Sequence, residues 1–255
     1  NYNSMASPPI HPNTLIRDGT SFGHFVVVED NVQIGKGCRI GHHVVIRAGS
    51  RIGDGVQIGD HSIIGQQPMR AANSAVTADT TQDGPHIGNR VRIGSHSILY
   101  AGCHLSEDVF VADLATIRED VQIGQQTIVG RGVAIENKCT VGAFCKLETN
   151  SYITAYSDVG DRVFVAPGVL TSNDNFIGRT EERFKHFKGA VLRSGSRVGV
   201  GAVLLPGIEL AAEAVLAAGA VLTKNGEPGI VYKGLPAKPH GPVPVEQLLS
   251  SSKNK

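Results

Sequence analysis

From Ile16 to Ile64 every sixth residue is aliphatic or Phe: Ile16, Phe22, Val28, Ile34, Ile40, Ile46, Ile52, Ile58 and Ile64. After a break the same spacing runs from Ile87 to Val165, and after a second break from Leu192 to Leu222. An amphipathic helix needs a period of 3.6 and a simple strand a period of 2, so six fits neither. It fits an all-β fold, a parallel β-helix in which each hexad supplies one short strand and one corner, with three hexads closing a triangular coil. The aliphatic residue then points inward, and the small or β-branched fifth residue fills the space beside it. Glycine often follows the aliphatic residue, where a side chain would obstruct the backbone. Coils stacked about 4.8 Å apart make residues 18 apart vertical neighbours, and about ten coils give a prism roughly 45 Å tall.

The remaining composition narrows the function. Net charge is +1 and charged residues make up 18%, so no global field points to nucleic acid or an anionic membrane. The apolar runs are too short to span a bilayer, and no signal peptide opens the chain; a cytoplasmic protein is expected. Cys38, Cys103, Cys139 and Cys145 all fall in the fifth hexad position, which reads as small buried hydrophobes rather than nucleophiles or metal ligands. The expected organisation is a leader over 1–13, one domain over 14–238 with excursions at 66–86 and 171–191, and a tail over 239–255. In the tail, residues 241–255 have room for one short helical turn. Met5 reads as the start, with "NYNS" ahead of it a fusion remnant.

The 18-residue ladder sorts the polar residues. Asp113 and Arg131, Arg118 and Glu136, and Asp120 and Lys138 stand one coil apart and read as exposed cross-strand pairs. His24 shares a column with His42, and His43 with His61, as solvated corners. Glu148 differs, because its column neighbours are Gly130 and Ala166. Asn150 lies between Gly132 and Gly168, which leave open space. Tyr156 sits on the next corner, above Lys138. The excursion at 171–191, "TSNDNFIGRTEERFKHFKGAV", leaves the helix after the hexad that stacks on Glu148 and Asn150. Long departures from a regular scaffold usually carry function. The polar excursion "QQPMRAANSAVTADTTQDGP" is expected to wrap a neighbouring subunit.

Three stretches carry a family resemblance. "VFVAPGVLTSNDNFIGRTEERFKHFKGAVLRSGSRVGVGAVLLPGI", "AAGAVLTKN" with "VYKGLPAKP", and "KLETN" resemble the hexapeptide-repeat acyltransferases, most nearly the bacterial nucleotide-linked amino-sugar N-acyltransferases. The resemblance implies a left-handed β-helix and a homotrimer with sites between subunits. It implies acetyl-CoA or another acyl-CoA as co-substrate, no metal, and a dTDP- or UDP-linked amino sugar as acceptor. Backbone at Gly201, Ala202, Gly219 and Ala220 would meet the pantetheine arm, with Lys224 and Lys238 near its phosphates. Tyr156, Asn173, Asp174, Asn175, Arg183 and Lys185 would bind the acceptor. Attack of an amine on a thioester needs a proton acceptor, for which Glu148 is the first candidate and His186 the second; Asn150 would orient the amine. Relatives that place a glutamate or histidine one hexad later are not matched, since Ala155 and Tyr156 stand there.

Other readings are weaker on the sequence. The zinc of a γ-type carbonic anhydrase needs two histidines five apart, and no such pair exists. A sugar nucleotidyltransferase needs an α/β domain for which there is no room before Ile16. The excursion at 66–86 resembles the proline-bearing insertion of the acyl-carrier-protein-dependent lipid A acyltransferases, but their histidine motif is missing. A non-catalytic scaffold and O-acetylation are the remaining alternatives.

Overall fold

The computed structural model describes residues 10–74, 76–77 and 80–251; the reading of Met5 as the start lies outside them. Strands Leu15–Ile16, Ser21–Phe22 and Val27–Val28 open three parallel sheets, the three faces of the prism. Each pairs with the strand 18 residues on, as Leu15 with Gln33 and Ile16 with Ile34. Two faces carry ten strands, and the second carries twelve rather than the expected ten. Its additional strands are not hexads: Ile230–Gly234 joins in parallel and Ala237–Pro242 folds back antiparallel.

The inward column is sealed: Ile34, Leu105 and Leu204 are buried, as are the fifth-position residues Val26, Cys38 and Cys145. Burial pushes the thiols of Cys103 and Cys139 up to about 12, so they remain protonated and unreactive.

Two hexad positions set the corner. The fourth residue adopts left-handed backbone, with φ of 54° at His43, 58° at Asn150 and 64° at Gly201. Apart from Gly65, where the first excursion begins, the second-position glycines need no unusual φ; they are required by close approach. A Cβ on Gly23 would lie 2.7 Å from Gly41 C and His42 N in the next coil. Aspartates lace successive corners, Asp60 Oδ1 accepting from His42 N–H at 2.7 Å and Asp161 Oδ1 from Ala143 N–H at 2.8 Å.

The three edges differ in use. Both excursions leave from the edge between the third and first faces, the loop edge, after Ile63–Gln66 and after Leu170–Thr171. The edge between the second and third faces carries Asn150, Gly168, Gly201 and Gly219 in its left-handed slots, and is the glycine edge. The C-terminal segment, with a 3-10 turn at Val245–Gln247, packs beside the remaining edge, the tail edge. Arg197 Nη1 donates to Gln247 Oε1 at 2.9 Å there, and Leu249 N–H to Glu213 Oε1 at 3.0 Å.

The outward residues also sort by face. On the third face they are Val27, Val45, Ile63, Ile98, Thr116, Ala134, Tyr152, Leu170, Val203 and Val221, all partly or fully exposed. The first face presents Gln33, Arg51, His86, His104, Gln122, Asp158 and Glu209 instead.

Candidate active site

The predicted site residues fall on two edges that bound the apolar third face. Glu148 follows strand Lys146–Leu147 on the glycine edge, half-buried, its amide donating to Val165 O at 2.8 Å. Its carboxylate has no hydrogen-bond or ion-pair partner among the described residues. Asn150 is exposed, and its side-chain oxygen lies over Gly132, so that half of the expected open space is filled by Asn150 itself. The other half is open. Side-chain positions built on Gly168, Gly201 and Gly219 meet nothing within 4 Å. Ala202 and Ala220 point into the core and are buried, so their side chains offer a ligand nothing.

Backbone donors change along this edge. On the early coils, His24 N–H is capped by His42 Nδ1 at 2.9 Å and Ser95 N–H by Asp113 Oδ1 at 2.7 Å. The amides of Asp60 and Asp113 on those coils, and of Thr149, Val200 and Ala218 on the glycine-lined coils, donate to no described group. Open space beside a row of free N–H groups suits an extended chain bearing carbonyl oxygens.

The second group lies on the loop edge. Asp174 organises the excursion from within, Oδ1 accepting from Phe176 N–H at 2.8 Å and Oδ2 from Gly178 N–H at 2.9 Å and Arg183 Nη1 at 3.0 Å. Desolvation alone would raise its carboxyl, but these donors outweigh it and hold the group below the usual range. Arg183 also lies over the ring of Phe184 at 4.8 Å. Lys185 and His186 both pair with Glu182 at 3.0 Å and are exposed. Tyr156 stacks near Lys138 Nζ, 5.6 Å from its ring centre. Asn173 and Asn175 lie at the start of the loop, Asn173 O accepting from Lys188 N–H at 3.2 Å. Lys224 stands on this edge as well, and Lys238 on the terminal hairpin that extends the second face.

Sequence reasoning missed the pocket beneath the loops. A cavity of about 210 Å³ is lined by Val76, Glu136, Tyr152, Thr154, Ala155, Asn173, Asp174, Arg183 and Phe187. The first excursion folds onto its own coils, Val76 O accepting from Asn137 Nδ2 at 2.8 Å and Thr77 Oγ1 from Arg118 Nη2 at 3.3 Å. Arg118 and Glu136 do pair, at 3.4 Å, but they are covered rather than exposed, and the buried Glu119 takes Arg118 Nε at 2.8 Å. Burial raises the Glu136 carboxyl, Arg118 pulls it down, Glu119 pushes it up, and the net is upward. The other two expected pairs are not formed: Asp113 accepts from the Ser95 amide, and Lys138 turns to Tyr156.

Among the described residues, no group of three His, Cys, Asp or Glu side chains is placed to hold a metal ion. No helix is long and apolar enough to cross a membrane.

A three-faced parallel β-helix advancing six residues at a time defines a hexapeptide-repeat protein. Two family models match its repeats: bacterial transferase hexapeptide (six repeats) over 13–48, and hexapeptide repeat of succinyl-transferase over 115–143 and 194–224. The chain thus carries hexapeptide repeats of the kind that these bacterial transferase models describe. The bifunctional protein GlmU of Synechococcus sp. (strain RCC307) is 31% identical over 130 residues, 51% of this chain and 27% of that protein. Gamma carbonic anhydrase 2, mitochondrial, of Arabidopsis thaliana is 29% identical over 140 residues, 52% of this chain and 48% of that one. The chain thus matches about a quarter to a half of these curated relatives. Among solved structures, the UDP-N-acetylglucosamine acyltransferase of Francisella novicida shares the fold with a TM-score of 0.51 and 16% identity, covering 91% of this chain and 70% of that one.

Proposed function

We propose that this chain is an acyltransferase that moves an acyl group from coenzyme A to the amine of a nucleotide-linked amino sugar, working as a homotrimer. The observation that carries the reading is the apolar third face with a different half-site on each of its two edges. Packing that face around a threefold axis sets the glycine edge of one copy beside the loop edge of the next. It also removes a continuous apolar surface from water, a strong drive to associate.

In this arrangement the pantetheine arm lies along Gly168, Gly201 and Gly219, its carbonyls facing the amides of Thr149, Val200 and Ala218. Lys238 of the same copy and Lys224 of the next are left for the phosphates. The neighbouring loop covers the acceptor, with Asn173, Asn175, Lys185 and His186 as polar contacts and Tyr156 at its base. Asp174 and Arg183 act indirectly, by fixing the loop's shape. Acyl-coenzyme A, when bound, supplies a thioester carbonyl open to attack by an amine. Asn150 orients that amine through its carboxamide, and Glu148, free of other partners, accepts the proton the nitrogen loses as the C–N bond forms and returns it to the sulfur as the C–S bond breaks, so that the thiol departs.

Solution mass and acyl-CoA turnover, measured on wild type and on Ala134→Glu, test this. A trimeric wild type, and a monomeric variant without turnover, are expected. A wild-type monomer that acylates amino sugars at full rate overturns the shared site.

A further inference from the structure

Along the tail edge, at the margin of the second face opposite Gly201, lies an open cavity of about 530 Å³. Its floor is Lys146, Phe164 and Arg197, outward residues that follow one another on successive coils. Phe144 and Arg162 rise from the corner as one wall, the guanidinium 4.8 Å from the ring centre. Glu246, Gln247 and Leu249 of the C-terminal segment close the other side.

Arg197 is the anomaly. Its Nη1 donates to Gln247, but Nε and Nη2 are shut off from solvent and find no hydrogen-bond partner among the described residues. Buried guanidinium donors are rarely left this way. Nε and Nη2 are the guanidinium nitrogens that can present parallel N–H bonds to two phosphate oxygens, the geometry for which arginine is suited. Lys146 lies in the same column, and the cations Lys146, Arg162 and Arg197 face a single carboxylate, Glu246. An anion alone would leave most of the cavity unfilled. The rings of Phe144 and Phe164, each more than a third exposed, line the remainder, and flat aromatic surface beside a phosphate seat matches a base joined to a phosphate. The volume falls in the range of small-molecule pockets.

We propose that this cavity binds a nucleotide, its phosphate on Arg197 and Lys146 and its base against Phe144 and Phe164. The proposal does not depend on acyl transfer and uses none of the residues assigned to it.

The test is calorimetric titration of AMP into the full chain, compared with Arg197→Gln, Lys146→Ala and Gly201→Phe, each checked by circular dichroism for the wild-type fold. Saturable binding is expected, weakened at least about tenfold in Arg197→Gln and several-fold in Lys146→Ala, and unchanged in Gly201→Phe. Lys146 is exposed, so its variant decides the matter even if Arg197→Gln fails to fold. Absence of binding at millimolar AMP overturns the proposal. So does binding lost only in Gly201→Phe, which would put the nucleotide on the glycine edge. Inorganic pyrophosphate binding as tightly as AMP overturns the base-binding half and leaves an anion seat only.

Discussion

The two halves of the glycine edge share a backbone and differ in what fills it. On the early coils the left-handed slots hold Phe25, His43, His61 and His96, whose rings stack at 4.9, 4.7 and 4.9 Å, and then the exposed Leu114. On the later coils the same slots hold Gly132, Asn150, Gly168, Gly201 and Gly219. Left-handed backbone costs a non-glycine residue about 1–2 kcal/mol, so a side chain in this slot is there for what it does. The early coils place a ladder of rings along the edge. The later coils place nothing, apart from one carboxamide. A regular scaffold has thus built a closed edge and an open groove from a single torsional requirement, by changing side chains at one hexad position.

The groove breaks most directly at Gly201→Phe. A phenyl ring there refills the slot as His61 does on the early coils. Coenzyme A binding, read by calorimetry, is expected to fall at least ~100-fold, or about 2.7 kcal/mol. Folding stability should fall only by the left-handed cost of about 1–2 kcal/mol. Unchanged affinity would show that the coenzyme runs elsewhere.

Asn150→Gly sharpens the contrast by making the later slots uniform. Stability in urea should rise slightly, by less than about 1 kcal/mol, because asparagine tolerates this backbone better than most residues. Turnover of an amino-sugar acceptor should fall by ~10-fold or more if the carboxamide orients the amine. A variant equally active and more stable would reduce Asn150 to a turn residue.

The period of six made the coil, the inward column and the buried cysteines legible, because those follow from spacing alone. The left-handed slot was legible in principle, since Gly, Asn, Asp and His recur at the fourth position, but second-position glycine dominates the pattern. That glycine answers to a backbone one coil away, which no local reading detects. The excursions were visible as breaks, and their path was not. An aperiodic loop obeys its own hydrogen bonds, here those of Asp174 and Asn137, so nothing in the spacing revealed that both loops meet over Glu136. Nor did the column argument separate Glu148 from His186. The loop leaves one corner later than the Glu148 corner, and a single corner is the full width of a face. For the same reason the Arg197 cavity was invisible, because the tail that closes it has no period.

Glu136 and Glu148 occupy the same hexad position, one roofed by the loops and one bare. Burial raises the folded carboxyl of Glu136 above its unfolded value. Such a group favours the native state most when protonated, below the unfolded carboxyl range, and that contribution is lost as pH rises through the folded value. Relative to wild type, Glu136→Gln should therefore gain stability in urea as pH is raised from about 4 to 7. Glu148→Gln should lose turnover. A flat difference for Glu136→Gln would mean that Arg118 fully compensates the buried charge.

The smallest effect is expected on the closed half. His61→Gly removes a ring stacked on both sides, a loss of about 0.5 kcal/mol for each exposed contact. It also relieves left-handed strain of about 1–2 kcal/mol, against which the freer unfolded chain of a glycine sets about 0.5–1 kcal/mol. These contributions nearly cancel, so the urea midpoint should move by the equivalent of about 1 kcal/mol or less, and coenzyme A affinity not at all. A loss above about 3 kcal/mol would exceed every exposed-ring estimate. It would mean that the ladder of rings holds the early coils together, and that the two halves differ in how they are stabilised as well as in what they bind.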